Sequence, residues 1–165
     1  MRDELRTLIS LSLSRDGFRQ ILRGSLFQAE VLFTQALGLD DDNAYARLGL
    51  AEVTACREQL AAALPKYREA IERARPEDRV QFLEAFVAAL VRAAVKAREK
   101  GDDRQAERYF RQALLLTSND TLRLACHEAL AGICADAGKK EAAAWHFSQA
   151  ISDLPLDGPD PTLDR

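Results

Sequence analysis

Four times along the chain one pattern returns: alanine, three residues, an aromatic, two residues, then alanine and a branched aliphatic. The copies are Ala29/Phe33/Ala36/Leu37, Ala63/Tyr67/Ala70/Ile71, Ala106/Phe110/Ala113/Leu114 and Ala143/Phe147/Ala150/Ile151. The residue before the second alanine is Gln35, Glu69, Gln112 or Gln149. Five positions upstream of the first alanine stand Gly24, Glu58, Gly101 and Gly138. A helix brings residues three, four, seven and eight apart onto one face, so each copy predicts a helix entered from a turn and packed through one stripe. A chain built this way is a repeat protein, and its architecture is expected to be all-α.

Successive copies are spaced by 34, 43 and 37 residues. Twelve positions before each leading alanine lies Gly17, Ala51, Ala94 or Ala131, a small side chain where two helices of a hairpin would cross closely. The 34-residue spacing and these residues resemble the tetratricopeptide repeat, a helix-turn-helix unit. The resemblance covers about residues 10 to 155 and is strongest in the second helices. The large residues of the family's first helix are mostly replaced: its tryptophan position holds Leu13, Arg47, Leu90 and His127. The resemblance implies a right-handed superhelical array of about four such repeats, near 10–43, 44–76, 77–120 and 121–153. Residues 1–153 are thus expected to form one domain, with residues 1–9 adding a turn or two of helix.

The longer spacings are expected to lengthen first helices. Arg75-Pro76-Glu77-Asp78 supplies a stop and then a start, because proline suits a first turn and acids favour the positive end of the helix dipole. From Glu77 to Lys100 nothing breaks a helix, which predicts one of about 24 residues, packed on several sides. Ser118 to Thr121 offers caps for the first helix of the fourth copy. Pro65 is expected in the first turn of its helix, where amide protons lack intrahelical partners. Residues 154–165, with three prolines and a glycine, are expected to be a loose tail.

A formal net charge of -3 offers no electrostatic case for nucleic acid or anionic membranes. No stretch approaches the roughly 20 apolar residues of a membrane span. The three cysteines, Cys56, Cys126 and Cys134, are scattered and odd in number, unlike a disulfide framework. The opening Met-Arg-Asp-Glu-Leu-Arg lacks the pattern of a secretory signal. A cytoplasmic setting is expected. No phosphate loop or nucleophile elbow appears, so no catalytic residue and no cofactor are assigned. Cys126, His127 and Cys134 lie close in sequence, but adjacent helical residues point about 100° apart, and no metal site is expected. His127 is expected to pack and His146 to face solvent. Asp40-Asp41-Asp42 reads as a solvated turn rather than a calcium loop.

What remains is binding. In the family the first helices line a concave groove, and the resemblance carries Tyr45, Leu48, Glu52, Val91, Arg92, Val95, Arg98 and Glu128 onto that face. Steps of three or four, in Tyr45/Leu48/Glu52 and in Val91/Val95/Arg98, place those on each helix together, independently of the family. The expected function is a non-catalytic adaptor holding a peptide or helix of another protein there, unless the first 20 residues fill part of the groove. The alternative is a self-assembling subunit that forms homo-oligomers through incompletely capped ends, with Trp145 as the candidate contact.

Overall fold

Each hairpin turn is set by how its first helix ends. In a computed structural model describing residues 2–57 and 59–152, Gly24, Gly101 and Gly138 have φ of 77°, 77° and 72°. This left-handed conformation lets the following amide reach back five residues: Ser25 N–H donates to Gln20 O (2.9 Å), Asp102 N–H to Ala97 O (2.9 Å) and Lys139 N–H to Cys134 O (2.8 Å). Gln59 N–H makes the corresponding bond to Thr54 O (3.3 Å). The same closure therefore recurs at all four turns.

Eight helices follow among the described residues, with no strand: α1 Arg2–Leu22, α2 Leu26–Leu39, α3 Ala44–Cys56, α4 Leu60–Arg73, α5 Arg79–Glu99, α6 Asp103–Leu116, α7 Asp120–Asp136 and α8 Lys140–Ser152. Asn43, Asp102 and Asn119 cap α3, α6 and α7, each accepting the amide proton three residues on at 3.0 Å. The expected long helix is α5, at 21 residues rather than about 24, because residues 76–78 form a turn before it. Pro65 is a correction. The helix starts at Leu60, so the proline lies in its second turn and forfeits an intrahelical bond.

The chain divides into two compact units, Met1–Ala89 and Leu90–Arg165. In the first, α1 packs on α2 and α3, and α3 on α4. Ala29, Phe33 and Ala36 are fully buried, as are Ala63, Tyr67 and Ala70. Phe33 lies against Gly17 and Gly49: a β-carbon added at Gly17 would come within 2.7 Å of its ring, and one at Gly49 would clash with it. Phe18 meets the same ring edge-on at 5.0 Å. Ser10, Ser14 and Asn43 form a buried polar knot. Asn43 Nδ2 donates to Ser10 Oγ (2.6 Å) and Ser14 Oγ (3.0 Å), while Ser10 Oγ donates to Ala36 O (2.8 Å).

In the second unit α7 packs on α6 and α8. Ala106, Phe110 and Ala113 are buried as the stripe predicts. The fourth copy departs from the pattern. Ala143 and Ala150 are buried, but Phe147 is 49% exposed and His146 takes the inward place at 6%. The buried face of α8 runs 143, 146, 150, whereas that of α2 runs 29, 33, 36. Residues 154–165, read as a tail, lie outside the described residues.

Candidate functional site: two clefts in a helical repeat

In Met1–Ala89, the first-helix residues Tyr45, Leu48 and Glu52 come together on one wall of a 590 Å³ cleft. Its opposite wall is α1, through Leu11, Arg15, Phe18 and Leu22, and Gln81 and Ala85 of α5 complete it. The N-terminal helix therefore contributes a wall to this face. Leu11 and Leu22 are largely exposed, while Leu48 is buried and Tyr45 and Glu52 are half-buried. Leu48 thus belongs to the core as much as to the cleft.

Tyr45 is also fixed. Its hydroxyl donates to Asp78 Oδ1 at 2.8 Å, and its ring meets Phe82 edge-on at 5.0 Å. Burial first, and then the Asp78 carboxylate, push its phenol above the ordinary range. Tyr45 therefore orders the turn before α5, a role its sequence neighbours do not reveal.

The remaining groove positions lie in Leu90–Arg165. On α5, Val91 is half-buried and Arg92, Val95 and Arg98 are exposed; on α7, Glu128 is exposed. The Arg98 guanidinium reaches Asp136 at 3.3 Å and crosses Gly132, where an added β-carbon would sit 2.9 Å from it. Glycine at position 132 leaves room for that arginine.

A second cleft, of 680 Å³, lies among α6, α7 and α8, and no motif in the sequence points to it. The Nδ1 atoms of His127 and His146 stand 3.1 Å apart with both residues buried. At that distance one imidazole donates and the other accepts, so the pair is held together while at most one carries an added proton. Trp145 meets both rings edge-on, at 5.8 and 4.8 Å. Arg111, Arg123, Leu115 and Gln149 complete the lining. Arg111 pairs with Glu107 at 2.7 Å, as the four-residue spacing predicts. His146 is buried, correcting the expectation that it faces solvent. His127 has His146, nineteen residues away, within hydrogen-bonding distance. Cys126 is buried, and that burial pushes its thiol up to about 11. Among the described residues no group of three His, Cys, Asp or Glu side chains converges as metal ligands would.

The pair carries a pH prediction. Burial, then His127 and Arg111, lower the pKa of His146 below its ordinary 6.5, against a weaker opposing effect of Glu107. An imidazole that binds protons less readily folded than unfolded gives stability that is complete above the unfolded pKa and is lost as pH falls through the lower folded value. The melting temperature should therefore fall between about pH 7 and about pH 5. A His127→Leu/His146→Leu variant should lose most of that slope. An unchanged slope would assign it to other groups.

No protein-family profile matches the chain, and no curated protein matches it. Solved structures do. A chain of the APC/C hetero-tetramer Cut9–Hcn1 superposes at a TM-score of 0.51 with 16% identity, over 87% of this chain and 25% of that one. The present chain thus spans a quarter of that protein's length. PilF of Pseudomonas aeruginosa matches at 0.42 with 18% identity, over 92% of this chain and 79% of that one. A thermophilic TPR protein of Thermus thermophilus matches at 0.37 with 19% identity, over 90% and 93%. At 16% identity the first of these likenesses speaks for the fold alone. Three left-handed glycine turns, the same five-residue closure at the fourth turn and four buried alanine stripes point the same way: among the described residues the fold is an all-helical, tetratricopeptide-like repeat.

Proposed function

We propose that the protein is a non-catalytic interaction module whose α1–α3–α5 cleft receives an apolar peptide or helical segment of another protein. The observation that carries this reading is the cleft of Met1–Ala89, apolar along Leu11, Phe18, Leu22 and Leu48, with Arg15 and Glu52 as its charged groups. Concave, mostly apolar sites with a few polar groups are where proteins take up ligands. The fold likeness to a chain of a hetero-tetramer supports the same reading by analogy only. Val91, Arg92, Val95, Arg98 and Glu128 are proposed as contacts on the second unit. The negative net charge supports a protein rather than a nucleic-acid partner. Among the described residues no helix is long and apolar enough to cross a membrane. Buried thiols at Cys126 and Cys134 support a reducing, cytoplasmic setting.

Tyr45→Ala is a poor probe, because it also breaks the bond to Asp78. Leu11→Glu is better: Leu11 is 42% exposed and lines the cleft. Peptides selected on the wild-type protein from a displayed library should bind that variant at least about tenfold more weakly, since losing an anchor costs roughly 2 kcal/mol. Its stability should change by only about 0.5 kcal/mol. Equal binding by wild type and variant would remove the cleft as the site.

A second reading, homo-oligomerisation, is favoured by one observation. Phe147 is half exposed where its counterparts Phe33, Tyr67 and Phe110 are buried, and Trp145 and Ile151 are also exposed on α8. Light scattering on the same preparations tests it. Mass should rise with concentration, and Phe147→Asp should reverse the rise; a constant monomer mass discards this reading.

A further inference from the structure

The chain has two histidines and one tryptophan, and all three meet at the α6–α7–α8 cleft. This cleft is unlike the one in Met1–Ala89. Its charged groups include two arginines, Arg111 and Arg123, and its polar floor is a pair of imidazoles that can take up a proton. Beside them stand large apolar groups open to solvent, Trp145 at 55% and Leu115 at 86% exposure. Glu107 is a carboxylate near this region, and it pairs within one helix with Arg111, whose side chain is largely exposed; a pair of this kind contributes little. An incoming carboxylate can therefore share or displace it.

We infer that this cleft binds a segment of a partner protein in which an acidic side chain adjoins a large apolar one, the carboxylate lying against Arg111 and the imidazole pair and the apolar group against Trp145 and Leu115. The inference rests on the interaction-module reading but assigns it a second site with its own chemistry. Charge complementarity selects the occupant: arginine heads and a protonated imidazole donate most strongly to a carboxylate, bind a neutral acceptor more weakly and repel a basic segment. The site is also linked to protons. Without ligand, His146 resists protonation because burial, and then His127 and Arg111 beside it, disfavour a positive charge there. A bound carboxylate supplies the missing opposite charge, so binding takes up a proton onto His146 or His127 and tightens as pH falls. The groups that set this response are Arg111 and Glu107 on α6, His127 and Arg123 on α7, and His146 on α8.

Trp145, as the single tryptophan, reports occupancy directly. The full-length protein is titrated with acetyl-Leu-Asp-Leu-Asp-amide, following Trp145 emission, at about pH 7.5 and about pH 5.5. A saturable shift is expected at both, with affinity about fivefold or more higher at the lower pH. The peptide with asparagine for both aspartates should bind at least about tenfold more weakly, having no charge to pair. Arg111→Gln, an exposed change, should weaken the acidic peptide similarly. His146→Asn keeps a polar atom near Nδ1 and should bind at the higher pH but lose the pH response; circular dichroism establishes that it is folded. If it is not, proton NMR of the two wild-type imidazoles replaces it, and the pair should take up its one proton at higher pH on adding peptide.

Equal binding of the asparagine peptide overturns the inference, as does affinity independent of pH. Absence of any saturable shift at the lower pH overturns it too. Leu11→Glu, in the other unit, should leave this titration unchanged, so failure of the α1–α3–α5 site is read separately. Loss of the acidic peptide in Leu11→Glu would place it elsewhere and overturn the assignment. Protein mass rising with concentration, and falling when peptide is added, would make a second copy the occupant and also overturn it.

Discussion

Phe33→Ala should lower the unfolding free energy by about 3–5 kcal/mol, the range for deleting a buried aromatic side chain. The ring is fully buried and rests on two glycines, Gly17 of α1 and Gly49 of α3, with Phe18 against its edge. Backbone lies on both sides, so the space left behind cannot be filled by a side-chain rotation at either glycine, and the cost should fall high in the range. The reverse perturbation is informative. A β-carbon at Gly49 would clash with that ring, so Gly49→Ala should cost about 1–3 kcal/mol by overpacking. Phe147→Ala is the control from the fourth copy of the same motif. With its ring half exposed, it should cost about 1 kcal/mol or less. Urea unfolding followed by circular dichroism measures all three. Similar losses for Phe33→Ala and Phe147→Ala would mean that the aromatic position does the same work in every repeat, against the observed difference in burial.

That contrast marks how far the sequence could be read. Local matters were legible: the alanine stripes, the glycine turns and the small residue at each helix crossing all depend on neighbours within one hairpin. The cap of α7 was legible too, since Asn119 falls within the stretch Ser118 to Thr121. What the sequence hides is the neighbour supplied by the next hairpin. Phe33 and Phe147 occupy one motif position, but Phe33 is covered by Gly49 of the following hairpin, and no described helix follows α8. The His127–His146 pair was hidden for a related reason. The residues are nineteen apart, and the motif alone directs Phe147, not His146, inward.

The candidate site was half legible. Tyr45, Leu48 and Glu52 do share a cleft, as their helical spacing requires. Its other wall is α1, which the sequence offered only as a segment that could fill part of the groove. The bond from Tyr45 to Asp78 spans 33 residues and connects a helix start to a later turn, which no periodicity reports. The α6–α7–α8 cleft went unseen because its polar groups come from three helices and only His127 and Gln149 among them stand at motif positions.

Asn43→Ala should be the most damaging polar substitution, at about 2–4 kcal/mol, because one side chain serves two structures at once. Its Oδ1 accepts the Ala46 amide proton and caps α3, a role worth about 1 kcal/mol. Its Nδ2 donates to Ser10 and Ser14, which are 0% and 2% exposed, on the helix that walls the cleft. Those hydroxyls already donate elsewhere, Ser10 to Ala36 O and Ser14 to Ser10 O, so alanine leaves their oxygens without this donor in a place water scarcely reaches. Asn119→Ala removes only a cap, on an exposed residue, and should cost about 1 kcal/mol. The difference between the two variants isolates the buried knot. Asn43→Asp keeps the cap acceptor but presents a carboxylate to two hydroxyl oxygens at a site 4% exposed, so it should not rescue stability at neutral pH. Because the knot ties α1 to the α2–α3 connection, Asn43→Ala should also speed amide exchange in α1 and weaken peptides that bind the α1–α3–α5 cleft. Asn43→Ala and Asn119→Ala of equal cost, with α1 exchange unchanged, would reduce the knot to a cap and leave α1 held by its apolar contacts alone.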